Sequence, residues 1–240
     1  MIDNLLRGQK RTAEGWVEEY EGRGAYFEHD GNARRPHPLL RSRKHSKGFF
    51  NSRPLIADEK LMRDVATDIV TNLIATEGFM VKAVQRVVGP KTGATKLAEF
   101  VAAEIGSRCG YPCGWASPKK VLDDKGNTIA MEIDDPDHPI LPGENVLFVE
   151  DVVTTGGSIE HVVNLVKKCG AKPLMFVGMM VNRSGEMVIR GLRLVALVTR
   201  HLPNYDVPRG ELCPLCAARS HPIEPKDNWS LLTANYERKE

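Results

Sequence analysis

A chain of 240 residues, 42% apolar and 27% charged, can build a core of its own, and a net charge of +2 is too small to mark a general nucleic-acid or membrane binder. No stretch approaches the roughly 20 apolar residues of a membrane span, and residues 1–10 carry charges without an apolar leader. The odd set of five cysteines makes no disulfide framework, so a cytoplasmic protein with reduced thiols is expected.

One domain is predicted, with an N-terminal segment over 1–60, a body over 61–200 and a C-terminal extension over 201–240. Residues 1–38 mix glycine, charge and the aromatics Trp16, Tyr20, Tyr26 and Phe27 without a sustained period, which reads as an irregular segment packed by its aromatics. From Leu61 the pattern clears: Leu61, Val65, Ile69 and Leu73 recur every four residues, predicting a helix with Asp58 as its N-cap. A short β-prone run, Val84 to Val88, stops at Gly89-Pro90 and is followed by a helix with Ala94, Leu97, Ala98, Val101, Ala102 and Ile105 on one face. Residues 117–143 collect prolines, glycines and charges without a period and read as a long mobile excursion. Val146–Val149 is a buried strand, Ser158–Cys169 a helix, and Leu174–Val181 and Leu192–Val198 two more buried strands. Runs apolar on both faces, alternating with helices, predict an α/β fold with a mainly parallel sheet flanked by helices. Such sheets bind ligands at the carboxyl ends of their strands.

The chemistry concentrates in Val146–Ser158, where a buried strand ends in Glu150-Asp151 and then Val152-Val153-Thr154-Thr155-Gly156-Gly157-Ser158 opens a helix. Gly156 and Gly157 let backbone N–H groups turn toward an anion, the hydroxyls of Thr154, Thr155 and Ser158 add donors, and the helix start is electropositive. That is a cradle for a monophosphate. Glu150 and Asp151 are acceptors suited to paired sugar hydroxyls, so phosphate and sugar are read together. A Walker-type nucleotide site is excluded, because no Gly-Lys-Ser/Thr ending is present.

These thirteen residues resemble the phosphoribosyl pyrophosphate signature of the type I phosphoribosyltransferases. The resemblance implies that family's fold, a mainly parallel central sheet with a small N-terminal hood, and use of Mg²⁺ held mainly by the substrate rather than by a protein metal site. It implies Glu150 and Asp151 as catalytic carboxylates and Val152 to Ser158 as donor-binding. It also implies that the loop holding Lys91, Thr92 and Gly93, between the Val84–Val88 strand and the next helix, grips the pyrophosphate. Leu40–Asn51 is similar to the substrate segment of the orotate phosphoribosyltransferases, which implies Arg41 at the donor and Phe49 and Phe50 against the base. In those enzymes an arginine after a strand grips the base carboxylate, implying Arg183 here, with Thr154 also at the base. The family's mobile loop carries Arg, Lys and a later His-Gly, whereas this chain offers Lys119 and Lys120 and no histidine, so these lysines are the candidates to neutralise the departing pyrophosphate.

Orotate is thus the favoured acceptor, in pyrimidine synthesis. A purine or another base, or a regulator that senses phosphoribosyl pyrophosphate without turning it over, are the alternatives. A homodimer is implied, with no nucleic-acid or membrane partner. Cys213 and Cys216 form one CxxC; a closed zinc site would need two more ligands, for which Cys109 with Cys113, or His221, are the candidates, and reduced thiols without metal are the expected state.

Overall fold

A computed structural model describes residues 8–124, 126, 128–208 and 211–236. In chain order its first elements are α1 (Ala13–Gly22), β1 (Tyr26–Glu28), β2 (His37–Pro38), β3 (His45–Ser46), β4 (Gly48–Phe50), α2 (Arg53–Ile56), α3 (Glu59–Ala75), β5 (Arg86–Val88), α4 (Thr95–Cys109) and β6 (Gly114–Ala116). Then follow β7 (Lys119–Leu122), β8 (Thr128–Glu132), β9 (Asn145–Val153), α5 (Gly157–Lys168), β10 (Lys172–Asn182), β11 (Val188–Ile189), β12 (Leu192–Thr199), β13 (Asn204–Tyr205), α6 (Pro214–Ala217), β14 (Pro222–Ile223) and α7 (Trp229–Thr233). The chain divides into two compact units. One holds the described residues up to Trp16 with Ser52–Arg200, the other Val17–Asn51 with the described residues from His201 on.

The first unit is built on a six-stranded sheet in the order β11-β12-β10-β9-β5-β6, parallel throughout except for the edge strand β11. Its inner strands are apolar on both faces because helices cover both sides. Val146 and Phe148 of β9 and Val177 of β10 meet Ile159, Val162 and Val166 of α5. On the opposite face Gly178 of β10 lies against Ile69 and Leu73 of α3. The four-residue recurrence from Leu61 thus marked the face of α3 that the sheet buries, and Asp58 caps that helix by accepting from the N–H of Leu61 at 3.1 Å. Asp68, buried on the same helix, accepts from the N–H groups of Lys10 (2.5 Å) and Arg11 (2.9 Å) and from the Trp16 indole (2.9 Å), tying the start of the described chain to the body.

Two expectations need correction. Residues 1–38 are not irregular throughout, since Ala13–Gly22 is helical. With Trp16 and Tyr20 buried one turn apart, that helix shows only a two-aromatic stripe, too short to stand out as a period. The excursion over 117–143 contains an antiparallel ribbon, β7 with β8, whose Met131 reaches into the core beside α5. Its other apolar residues, Val121, Leu122, Ile129 and Ala130, are exposed or half-buried and do not alternate with polar ones, so no strand period marks it in the sequence.

In the second unit the N- and C-terminal segments pair with each other: β14 lies parallel to β2 and β13 antiparallel to β3, while β1 pairs with β4. Its interior is aromatic, with Phe50 edge-on to Tyr20 at 5.0 Å and beside Tyr26 at 4.6 Å.

Candidate active site

β9 runs two apolar turns of its pleat, Val146 to Val149, and then delivers Glu150 and Asp151 to the carboxyl end of the sheet. The strand continues through Val152 and Val153, where Val153 O accepts from the N–H of Arg183 at 2.9 Å, so β9 and β10 end together. The chain then bends at Thr154-Thr155 and enters α5 through Gly156. That residue has φ +76°, and a Cβ there would overlap Ile189, so glycine is required on both counts. The N–H groups of Gly157 and Ser158 have no helical carbonyl one turn behind them, as at any helix start, while the Ile159 N–H donates to Gly156 O at 3.1 Å.

The second loop of the site, Gly89 to Ala94, joins β5 to α4. Its Gly89 N–H donates to Ala116 O at 3.1 Å and its Lys91 N–H to Pro118 O at 2.8 Å, while the Ser117 hydroxyl donates to Gly89 O at 2.8 Å. The Lys91–Thr92 peptide is cis. A Cβ on Gly93 would stand 2.6 Å from Asp151 Oδ2, so the backbone of this loop passes directly against the Asp151 carboxylate. Two loops that are about sixty residues apart in sequence thus converge on one carboxylate.

Asp151 Oδ1 accepts from the N–H of Val152 at 2.9 Å. Glu150, only 8% exposed, has its pKa raised well above the usual carboxylate range, first by burial and then by the charge of Asp151 and a hydrogen bond between the two carboxyls. The Lys120 ammonium acts in the opposite sense on Glu150. Of the two hairpin lysines, then, Lys120 is the one whose field reaches the acidic pair. Lys119 pairs instead with Glu132 at 3.0 Å and stands 4.0 Å from Asp134, whose carboxylate also takes Lys91 at 2.7 Å. The hydrogen bond from Lys91 holds the Asp134 carboxyl below its ordinary range, and the bond to Glu132 raises the Lys119 ammonium. Sequence reasoning missed Glu132 and Asp134 as partners, because only the pairing of β7 with β8 brings that arm of the ribbon back to the lysines.

The remaining predicted positions fall as follows. Arg183 stands at the carboxyl end of β10, with its side chain 1% exposed and therefore beneath the strand ends rather than on an open surface. Arg41, Phe49 and Phe50 belong to the second unit. There Arg41 is exposed, Phe49 packs against Trp229 at 5.9 Å, and Phe50 is 2% exposed in the unit's own core.

A parallel sheet whose acidic strand end adjoins an anion-ready glycine bend is the working end of an α/β enzyme that handles a phosphorylated sugar. Residues 57–197 match the phosphoribosyl transferase domain family. The orotate phosphoribosyltransferase of Caldanaerobacter subterraneus subsp. tengcongensis is 31% identical over 180 residues, spanning 75% of this chain and 83% of the relative. That of Desulforamulus reducens is 28% identical over 189 residues, spanning 79% of this chain and 87% of the relative. Among solved structures, orotate phosphoribosyltransferase from Aeropyrum pernix superimposes with a TM-score of 0.52 at 26% identity, covering 76% of this chain and 92% of that one. The chain belongs to the phosphoribosyltransferase family and is a pentosyltransferase with the type I fold of that family.

Two outcomes follow from this geometry. In Gly93→Ala the new methyl must displace the Asp151 carboxylate or the loop. Phosphoribosyl transfer should fall about 10²-fold in kcat/KM with an unchanged circular dichroism spectrum, and full activity would show that the contact does not matter. For Glu150, the raised folded-state pKa means that its favourable contribution is complete below the unfolded-state pKa and is lost as pH rises through the folded one. Glu150→Gln should therefore match wild type in Tm near about pH 4.5 and become increasingly the more stable as pH rises. A Tm difference independent of pH would contradict the burial argument.

Proposed function

We propose that this enzyme transfers ribose 5-phosphate from phosphoribosyl pyrophosphate to orotate, yielding orotidine 5′-phosphate and pyrophosphate, a step of pyrimidine nucleotide synthesis. The observation that carries the proposal is the junction at Asp151, where the pyrophosphate-loop candidate Gly93 touches the carboxylate that ends β9 just before the glycine bend. A donor with a phosphate, a ribose and a pyrophosphate presents three such features in a row. Orotate as acceptor is supported by the relatives, which are orotate phosphoribosyltransferases across most of their length.

In this reading the backbone from Val152 and Val153 into Thr154, Thr155, Gly156, Gly157 and Ser158 seats the 5-phosphate, and Glu150 and Asp151 orient the ribose hydroxyls. The Lys91-Thr92-Gly93 loop holds the pyrophosphate. The bond from the anomeric carbon to a pyrophosphate oxygen breaks with its electron pair leaving on pyrophosphate, a ring nitrogen of the base bonds to that carbon, and the nitrogen's proton is released. Charge builds on the leaving group, so cations near it lower the barrier. Lys91 and Lys119 would exchange Asp134 and Glu132 for pyrophosphate oxygens, and Lys120 is placed to balance the acidic pair.

Of the two carboxylates that β9 brings to the strand end, Glu150 and Asp151, the first resists ionising. That donor set suits a Mg²⁺ held mostly by substrate oxygens rather than an all-protein cage. When bound with the donor, the ion would supply positive charge at the pyrophosphate. Arg183 and Thr154 are assigned to the base. Arg41 and Phe49 keep the donor and base roles that their segment resembles, and Phe50 contributes by fixing β4. Homodimeric assembly and a cytoplasmic setting belong to the same proposal; the five free cysteines are consistent with a reducing compartment, and no helix among the described residues is long and apolar enough to cross a membrane.

The purified chain should release pyrophosphate from the donor only when orotate and Mg²⁺ are supplied, and adenine, hypoxanthine and uracil should not replace orotate. Asp151→Asn should lower turnover by about 10²- to 10³-fold, the scale of one preorganised electrostatic partner. Release with a purine and not with orotate would replace the acceptor, and wild-type turnover in Asp151→Asn would remove the carboxylate pair from the mechanism.

A further inference from the structure

The second unit contains a cluster that phosphoribosyl transfer does not use. His37 of β2, His45 of β3, and Cys213 and Cys216 at the start of α6 present one ligand atom each, all within 4.8 Å of one another. His37 Nε2 lies 3.0 Å from His45 Nδ1, 3.5 Å from Cys213 Sγ and 3.6 Å from Cys216 Sγ, and His45 Nδ1 lies 3.4 Å from Cys216 Sγ. A tetrahedron with Zn–N of about 2.0–2.1 Å and Zn–S of about 2.3 Å has N–N edges of about 3.3 Å and N–S edges of about 3.6 Å. The four groups therefore already stand near the corners of a zinc coordination shell.

The protons say the same. The Ser220 hydroxyl donates to Arg35 O at 2.6 Å, so at 2.8 Å from His37 Nδ1 it must accept, and Nδ1 carries the imidazole hydrogen. Nε2 is then a bare lone pair with three polar neighbours within 3.6 Å, more than one lone pair can serve by hydrogen bonding. A cation at the centre serves all of them at once. This hydrogen-bonded outer partner is also what fixes the tautomer and ring orientation of a metal-binding histidine. The N–H of Cys216 donates back to Cys213 Sγ at 3.2 Å, with Pro214 opening the turn.

We propose that His37, His45, Cys213 and Cys216 bind one Zn²⁺ in a closed, four-coordinate structural site that clips the C-terminal segment of the second unit to its N-terminal segment. Four protein ligands leave no open position for substrate or water, so the role is structural. The softness of two thiolates and two imidazoles selects zinc over Mg²⁺. The second unit needs such a clip. It is about 75 residues in two pieces, and among the described residues its strands form two-stranded pairs of two or three residues, a size at which a core alone is marginal. This proposal departs from the expectation of reduced thiols without metal. Cys109 and Cys113, considered as partners, lie in the other unit at and just after the end of α4, and His221 contributes its backbone carbonyl to His37 N–H at 3.0 Å rather than a ligand atom to the cluster.

The test uses the full chain, made without a histidine tag, and reads metal rather than activity, so it is independent of the assignment of orotate. Mass spectrometry of the elements should find one zinc per chain. Reconstitution with Co²⁺ should give the intense visible bands of a tetrahedral site together with thiolate-to-metal charge transfer, and stripping zinc with a chelator should lower Tm by several degrees. Cys216→Ser should lose most of the zinc. Ser220→Ala, which keeps all four ligands, should weaken zinc retention against a competing chelator by about 10- to 100-fold. If Cys216→Ser does not fold, the zinc content and cobalt spectrum of the unaltered chain still decide. Folded chain without zinc whose Tm is indifferent to zinc and chelator, or a Cys213–Cys216 disulfide in that chain, overturns the proposal.

Discussion

The acidic end of β9 is held in a state that costs the free protein stability. Glu150 is buried beside another carboxylate, and the field of Lys120 and a backbone hydrogen bond from Asp151 oppose the resulting penalty. The rest of the first unit is arranged around keeping that pair in place: two apolar faces of the sheet lock β9 between β10 and β5, and the Gly93 backbone closes the near side of Asp151. Residues that are expensive to bury and yet positioned by glycine contacts are the usual mark of a site shaped for ligand rather than for folding.

The lysines show the same preparation from the other sign. Lys91 and Lys119 are held by Asp134 and Glu132, so positive charge stays near the Gly89–Ala94 loop without being left uncompensated. These pairs are exposed and hence weak, and an incoming polyanion can displace them at little cost. The ribbon that carries Lys119 and Glu132 is anchored where Met131 enters the core, while Lys119 itself stays exposed.

The second unit solves a different problem. It assembles two distant stretches of chain with short strand pairs and an aromatic interior around Tyr20, Tyr26 and Phe50, and a metal clip at His37, His45, Cys213 and Cys216 would add the cross-link that so little buried area lacks.

The amino-acid sequence by itself determined the alternation of buried strands and helices, the faces of α3 and α5, and the acidic strand end with its glycine bend, because those depend on local periodicity and on residue types that only one backbone geometry accommodates. The helix at Ala13–Gly22 and the ribbon at Lys119–Glu132 were illegible: one has too short an apolar stripe, and the apolar residues of the other follow no strand alternation. Likewise a lone His37 or His45 carries no spacing signal, and the Cys213-x-x-Cys216 pair alone names only half of a ligand set. Tertiary structure decided what touches Asp151, which lysine faces Glu150, that Arg183 and Phe50 are buried, and which histidines meet the cysteines. Contacts between residues some sixty to one hundred and eighty positions apart leave no local pattern, and they exist only once the sheet and the strand pairs have closed.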